Sequence, residues 1–197
     1  VNQMDSHLIE SKLKSQELFR GSFLHAFRDT VALPDGTEAS REYVIHPGAV
    51  MIVPLLEVPG QPLQLVMERQ FRYPVQQVML EFPAGKLDPN ESTLECAQRE
   101  LFEETGYRAK QWAKAGVMHP VISYSTEFIE IWFAKDLSLG ERQLDPGEFL
   151  EVITQTPEAL KQACLKGEVT DGKTLTGMFW LQNYLSGQHD LTWVNAA

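Results

Sequence analysis

The spacing of apolar and polar positions changes along the chain, and each change marks an element. Residues 17–33 (ELFRGSFLHAFRDTVAL) alternate with a period near two, interrupted at Gly21, which predicts β structure. Pro34-Asp35-Gly36 is a turn sequence, and Arg41 to Ile45 reads as the returning strand. Together they make a small β-meander, too short to bury a core of its own. His46-Pro47-Gly48 ends the alternation. Ala49 to Leu56 (AVMIVPLL) is then almost continuously apolar, as in a strand covered on both faces. Pro59-Gly60 forms a turn, Leu63 to Arg69 a second strand, and Val78 to Phe82 a third that stops at Pro83-Ala84-Gly85.

Beyond residue 92 the period becomes helical. Ser92 and Glu95 form a capping-box pair, and Leu94, Ala97 and Leu101 recur at spacings of three and four. Gly106 suits the helix C-terminus. Val117 to Ile122 and Glu127 to Ala134 read as strands, residues 135–148 as a polar loop, and Phe149 to Thr154 as a strand. Pro157 to Leu165 and Thr174 to Leu185 read as amphipathic helices, the second opening near Asp171. Val1 to Lys14 is polar and reads as a short helix or an appended remnant. Mixed strands, a central helix and C-terminal helices predict an α/β fold with helices covering the sheet. The expected division is a meander over residues 1–45 and a main domain over 46–197.

Charge narrows the function. The 197 residues carry 27 acidic and 17 basic side chains, a net charge of -10. That balance argues against a nucleic-acid binder or a protein docked on anionic membrane, both of which need a basic face. No apolar run is long enough to span a bilayer, and the first residues lack the pattern of a signal peptide. Cys96 and Cys164 stand far apart and outside any CxxC, so they are expected to be reduced, half-buried thiols of a cytoplasmic protein. His46, His119 and His189 show no metal-ligand spacing, and Trp112, Trp132, Trp180 and Trp193 read as core or interface.

The chemistry concentrates in Gly85 to Tyr107, GKLDPNESTLECAQRELFEETGY. Glu100, Glu103 and Glu104 stand at i, i+3 and i+4, so three carboxylates share one helical face, opposite Leu94, Ala97 and Leu101. Such a cluster is either a solvated acidic face or a seat for a hard divalent cation, which takes carboxylate, carbonyl and phosphate oxygens. Arg99 is placed to pair with Glu91 and tie the preceding loop to the helix. Gly85 allows close approach of the loop backbone and leaves the Ala84 carbonyl as a further oxygen.

The full spacing, carried by Gly85, Glu91, Arg99, Glu100, Leu101, Glu103, Glu104, Gly106 and Tyr107, resembles the signature box of the Nudix hydrolases. The resemblance implies an α/β/α sandwich with a mixed sheet. It also implies hydrolysis of a nucleoside diphosphate linked to another moiety, with Mg2+ or Mn2+. Glu100 and Glu104 would be direct metal ligands, Glu103 a ligand or water-mediated ligand with a catalytic part, and Ala84 a backbone ligand. Gly85, Glu91, Arg99 and Gly106 would be structural. Gln70-Phe71-Arg72, Leu80 to Lys86 (LEFPAGK) and His46 to Val50 resemble the ADP-ribose pyrophosphatase branch. In that branch the meander is exchanged in a homodimer and the active site lies partly across the interface. Arg72 would then contact phosphate or terminal ribose, and Glu81 would bind substrate or orient a group that does. Arg41 would reach the site from the partner, and Phe23 or Phe27 would stack on the base. Glu148, chosen over Glu141 and Asp145, would be the general base. Glu127 would bind metal or orient Arg72.

One departure bears on the substrate. The branch carries a proline about sixteen residues beyond the box, where this chain has Ile122 or Ser123, and Tyr124 stands near a position typical of dinucleoside-polyphosphate hydrolases. The expected activity is Mg2+-dependent cleavage of ADP-ribose or a related nucleoside diphosphate sugar. The rivals are a dinucleoside-polyphosphate hydrolase and a non-catalytic nucleotide-sugar sensor of the same fold.

Overall fold

Among the described residues, glycines, prolines and helix caps mark out eleven strands and three α-helices. The computed structural model describes residues 3–144 and 147–196. It forms two units, residues 1–48 with 121–127, and residues 49–120 with 128–197.

In the smaller unit a 3-10 turn at Gln3–Leu8 precedes β1 (Ser11–Arg20), β2 (His25–Ala32) and β3 (Glu38–Val44), which form an antiparallel sheet in chain order. The alternating segment expected over 17–33 is therefore two strands. Gly21 is the hinge between them, its N–H donating to the Leu24 carbonyl at 2.8 Å. β1 begins well before the alternation is visible, because all ten of its residues are exposed and no buried face imposes a pattern. Leu13, Leu18 and Phe19 lie open on it. Asp29 is buried and held by the Ser15 hydroxyl and the Tyr43 hydroxyl at 2.5 and 3.0 Å.

The larger unit contains β4 (Ala49–Leu56), β5 (Gln64–Arg72), β6 (Gln77–Glu81), β7 (Ala84–Lys86), α1 (Thr93–Thr105), β8 (Tyr107–Met118), β9 (Ile129–Leu139), β10 (Leu150–Gln155), α2 (Pro157–Leu165), α3 (Gly172–Leu185) and β11 (Val194–Asn195). Its eight-stranded sheet runs β10-β5-β4-β9-β8-β11, with β6 on β5 and β7 on β4. β4 and β9 are parallel and the other pairs antiparallel, so the sheet is mixed. β4 alternates between two cores, which explains its unbroken apolar run. Met51, Val53 and Leu55 pack with α3 residues Met178 and Leu181, while Val50 and Ile52 pack with α1 residues Cys96, Ala97 and Leu101. The result is three layers, helix on sheet on helix.

The largest differences from the expected boundaries in this unit are at β8 and β9. β8 starts at Tyr107 rather than near 117; its outward Arg108, Lys110 and Lys114 dilute the apolar alternation of Ala109, Trp112 and Ala113. β9 runs on to Leu139, taking in residues assigned to a polar loop, because its end is exposed and paired on β8. Cys96 is fully buried rather than half-buried, and both cysteines are free.

The β4–β5 pairing positions the site. The two strands are bonded only at Leu55–Leu65 and Leu56–Gln64. At Ala49–Met51, β4 pairs with β7 instead, and β5 pairs with β6 over Glu68–Arg72. The strands diverge, and the excursion over residues 73–86 fills the opening beneath α1.

Candidate active site

Local capping fixes α1. Ser92 accepts from the Glu95 N–H, Glu95 accepts from the Ser92 N–H at 2.9 Å, and Gly106 closes the other end at φ 76°. Arg99 carries the loop-to-helix tie expected of it, with Nε and Nη2 on the Glu91 carboxylate at 2.7 and 2.9 Å. This pairing holds the Glu91 carboxyl at about 2, well below its usual range. Nη2 also donates to the Lys86 carbonyl at 3.1 Å, and Nη1 reaches Glu100 and Glu103 at 2.8 and 3.0 Å.

The three box carboxylates do not share one environment. Glu103 is half-buried, whereas Glu104 is only 3% exposed and its Oε2 accepts the Ala84 N–H at 3.1 Å. Burial, and then the like charges of Glu68, Glu100 and Glu148, raise the Glu104 carboxyl well above its usual range. Burial also lifts Glu100 to about 7 despite the opposing pull of Arg99. Glu100 lies over Gly85 so closely that a Cβ there would come within 1.8 Å of Oε1.

Beside this group, Arg72 grips Glu81 with Nε and Nη2 at 2.7 and 2.9 Å. Glu81 thus orients Arg72. Lys173 donates to Glu81 Oε2, the oxygen that also accepts from Arg72 Nη2, and lies 3.1 Å from Asp171. Burial works against ionisation of Glu81, but the two cations prevail and hold it below the usual carboxylate range. Thr174 accepts the Phe82 N–H at 3.1 Å and so anchors the start of α3 to the end of β6. Lys173 escaped the sequence reading because nothing local to residues 171–174 announces a site, only a helix start.

Glu68 escaped it too. It faces Glu81 across the β5–β6 ladder, is fully buried, and neither carboxylate oxygen has a hydrogen-bond partner among the described residues. Burial lifts its carboxyl to about 8, reinforced by Glu81. The available signal was a charged residue ending the apolar run Leu65-Val66-Met67.

Glu148 sits half-buried before β10, close enough for its charge to disfavour ionisation of Glu68, Glu100 and Glu104. Glu141 is exposed, and Asp145 lies outside the described residues. Glu148 also borders an open cleft of about 430 Å³ with Arg69, Phe71, Val78, Arg142 and Phe149. A roomier cleft of about 890 Å³, lined by Glu57, Pro59, Lys110 and Asp136 among others, includes none of these carboxylates. Arg41 and Glu127 belong to the smaller unit. There Arg41 Nε bonds Glu10 at 2.9 Å, and Glu127 lies 3.8 Å from His46 Nε2. Phe23 meets the His46 ring edge-on, and Phe27 stacks near Tyr43.

Among the described residues, no three carboxylate, imidazole or thiol groups stand gathered at metal-holding distance. Arg99 engages Glu100 and Glu103, and the Ala84 N–H engages Glu104. The surroundings nevertheless fit a hard divalent cation. The donors are carboxylates, a Cβ at Gly85 would displace the Glu100 carboxylate, and Glu68 presents two orphaned buried oxygens.

Residues 45–176 match the NUDIX domain, and residues 10–44 match the nucleoside diphosphate sugar hydrolase N-terminal domain. The chain is 34% identical over 177 residues to the ADP-ribose pyrophosphatase of Bacillus subtilis (strain 168), covering 89% of this chain and 94% of that one. It is likewise 34% identical over 177 residues to the methanol dehydrogenase activator of Bacillus methanolicus, covering 88% and 92%. A crystal structure of an ADP compounds hydrolase superposes with a TM-score of 0.80 at 23% identity, over 91% of this chain and 95% of that one.

Proposed function

This chain belongs to the NUDIX family of hydrolases, and on that premise we propose that it cleaves the diphosphate bond of ADP-ribose or a related nucleoside diphosphate sugar, with Mg2+. The products would be a nucleoside monophosphate and a sugar phosphate. The observation that carries this reading is the box carboxylates of α1 within electrostatic reach of both the Arg72–Glu81–Lys173 cluster and Glu148. That juxtaposition offers a cation seat, fixed positive charge for phosphate, and a base in one place.

Glu100, Glu103, Glu104 and the Ala84 carbonyl would hold the cation. When bound, the cation supplies charge neutralisation of the diphosphate and acidifies an attacking water. Arg72, held in one orientation by Glu81, meets phosphate or terminal ribose. Glu148 takes the proton of the attacking water, and general-base catalysis of this kind contributes roughly 10²–10⁴ in rate. Gly85, Glu91, Arg99 and Gly106 keep the loop and helix in register. Glu127 is assigned here to substrate binding with Arg41.

The same reading makes the protein a homodimer that exchanges its N-terminal meander. The wholly exposed β1, an edge strand with Leu13, Leu18 and Phe19 open, supports it, since its unpaired edge is free to pair with a second copy. No helix among the described residues is long and apolar enough to cross a membrane.

The test is a panel of ADP-ribose, other nucleoside diphosphate sugars and dinucleoside polyphosphates with Mg2+, scored by product identity. Release of AMP and ribose 5-phosphate from ADP-ribose is expected. Preferred cleavage of a dinucleoside polyphosphate would reassign the substrate, and no turnover of any member would overturn the hydrolase reading.

A further inference from the structure

Glu68 is an anomaly in physical terms. A carboxyl group buried without hydrogen bonds costs several kcal/mol in either protonation state, and such groups are rare in stable folds. It follows Leu65, Val66 and Met67, all fully buried, so valine would fill the position with less penalty. Its direction is fixed by the strand. Leu65 and Met67 pack into the core on the α3 side. Glu68, one residue on, projects to the opposite face, the side of α1. There Glu104 is buried, and the Glu68 charge is the foremost like charge acting on it. The nearby cations do not resolve the anomaly, because Arg72 and Lys173 both bond Glu81 and leave the Glu68 oxygens unpartnered.

We infer that Glu68 supplies an additional oxygen, directly or through one bound water, to the cation held by Glu100 and Glu104. The orphaned oxygens belong to the face of β5 opposite its α3-side residues, within electrostatic reach of Glu104. A hard cation with its retained waters satisfies such oxygens without any protein donor. Glu68 lies outside the signature box, so the cation seat of this chain extends across three elements, α1, β7 and β5. The inference rests on the cation-dependent reading above.

Mn2+ binding to the full, nucleotide-free chain tests it, with free Mn2+ read by electron paramagnetic resonance. Glu68→Gln and the packing-compatible Glu68→Val are each expected to weaken Mn2+ binding about 10- to 100-fold, the range for groups supporting a metal site. Their thermal midpoints in EDTA are expected to equal or exceed that of the unsubstituted protein. Affinity within twofold in a folded variant would overturn the inference. So would a lowered midpoint in EDTA accompanying the loss in both variants, which marks a structural role, or absence of Mn2+ binding in the unsubstituted protein. No nucleotide enters this measurement. Glu68-dependent Mn2+ binding together with an inactive substrate panel would therefore reject the proposed activity and keep the cation site.

Discussion

Replacing Arg99 by methionine keeps the length of the side chain and removes its charge, leaving Glu91 without its partner. Arg99 bonds hold Glu91 at about 2, with burial opposing and the Asp88 N–H assisting, against an ordinary value of 4.5. At about 1.4 kcal/mol for each tenfold change in proton affinity, the gap corresponds to roughly 3 kcal/mol. The Arg99 and Glu91 side chains are 27% and 12% exposed, and Asp88 remains, so solvent screening reduces the expected loss to about 2 kcal/mol at pH 7. The sign follows from linkage. A depressed folded-state value stabilises fully above pH 4.5 and fades as the pH falls toward 2. Urea denaturation in EDTA should therefore give a deficit of about 2 kcal/mol for Arg99→Met at pH 7, shrinking to about half at pH 3. A deficit below about 0.5 kcal/mol at pH 7, or one equal at both pH values, would refute the account of this pair.

Three further outcomes follow from the site. Glu148→Gln should lower kcat by roughly 10²–10⁴ while Mn2+ affinity stays within a few-fold, and near-normal turnover would remove Glu148 as the base. Gly85→Ala should abolish turnover and weaken Mn2+ binding, because its Cβ would lie 1.8 Å from Glu100 Oε1 and force that carboxylate away; retained activity would show that Glu100 can relocate. Glu68 is raised to about 8, so the metal-free protein should lose stability as pH rises from 4.5 to 8. Glu68→Gln should make that slope shallower, Glu100 and Glu104 still contributing, and be more stable by ~3 kcal/mol at pH 8, with equal slopes in urea titrations arguing against a buried charge there.

How much of this was legible depended on the range of the interactions. The box was readable because Ser92, Glu95, Arg99 and Gly106 act within one helix and its flanking loop, where spacing alone sets geometry. β4 was readable because both of its faces are buried. β1 was not, since ten exposed residues leave no periodic trace, and the start of β8 was masked by its outward lysines and arginine. Lys173 and Glu68 could not be placed from sequence because their meaning lies across the sheet. Glu81 faces Glu68 through strand register and meets Lys173 across 92 residues of chain. The face-sharing of Glu100, Glu103 and Glu104 was correct as helical geometry, yet it gave no sign that Glu104 would be as sequestered as a core leucine.

The anchoring of α3 to β6 also orders events in time. A chain emerging from the ribosome completes α1 and its capping contacts while Lys173 and Thr174 are still unmade. Until those residues arrive, Glu81 lacks one of its two cations and the Phe82 N–H lacks its acceptor. The acidic half of the site can thus organise early, whereas the Arg72–Glu81–Lys173 half waits for a segment well beyond the box. Truncation before Lys173 would leave the signature box complete in sequence and Glu81 without its second cation.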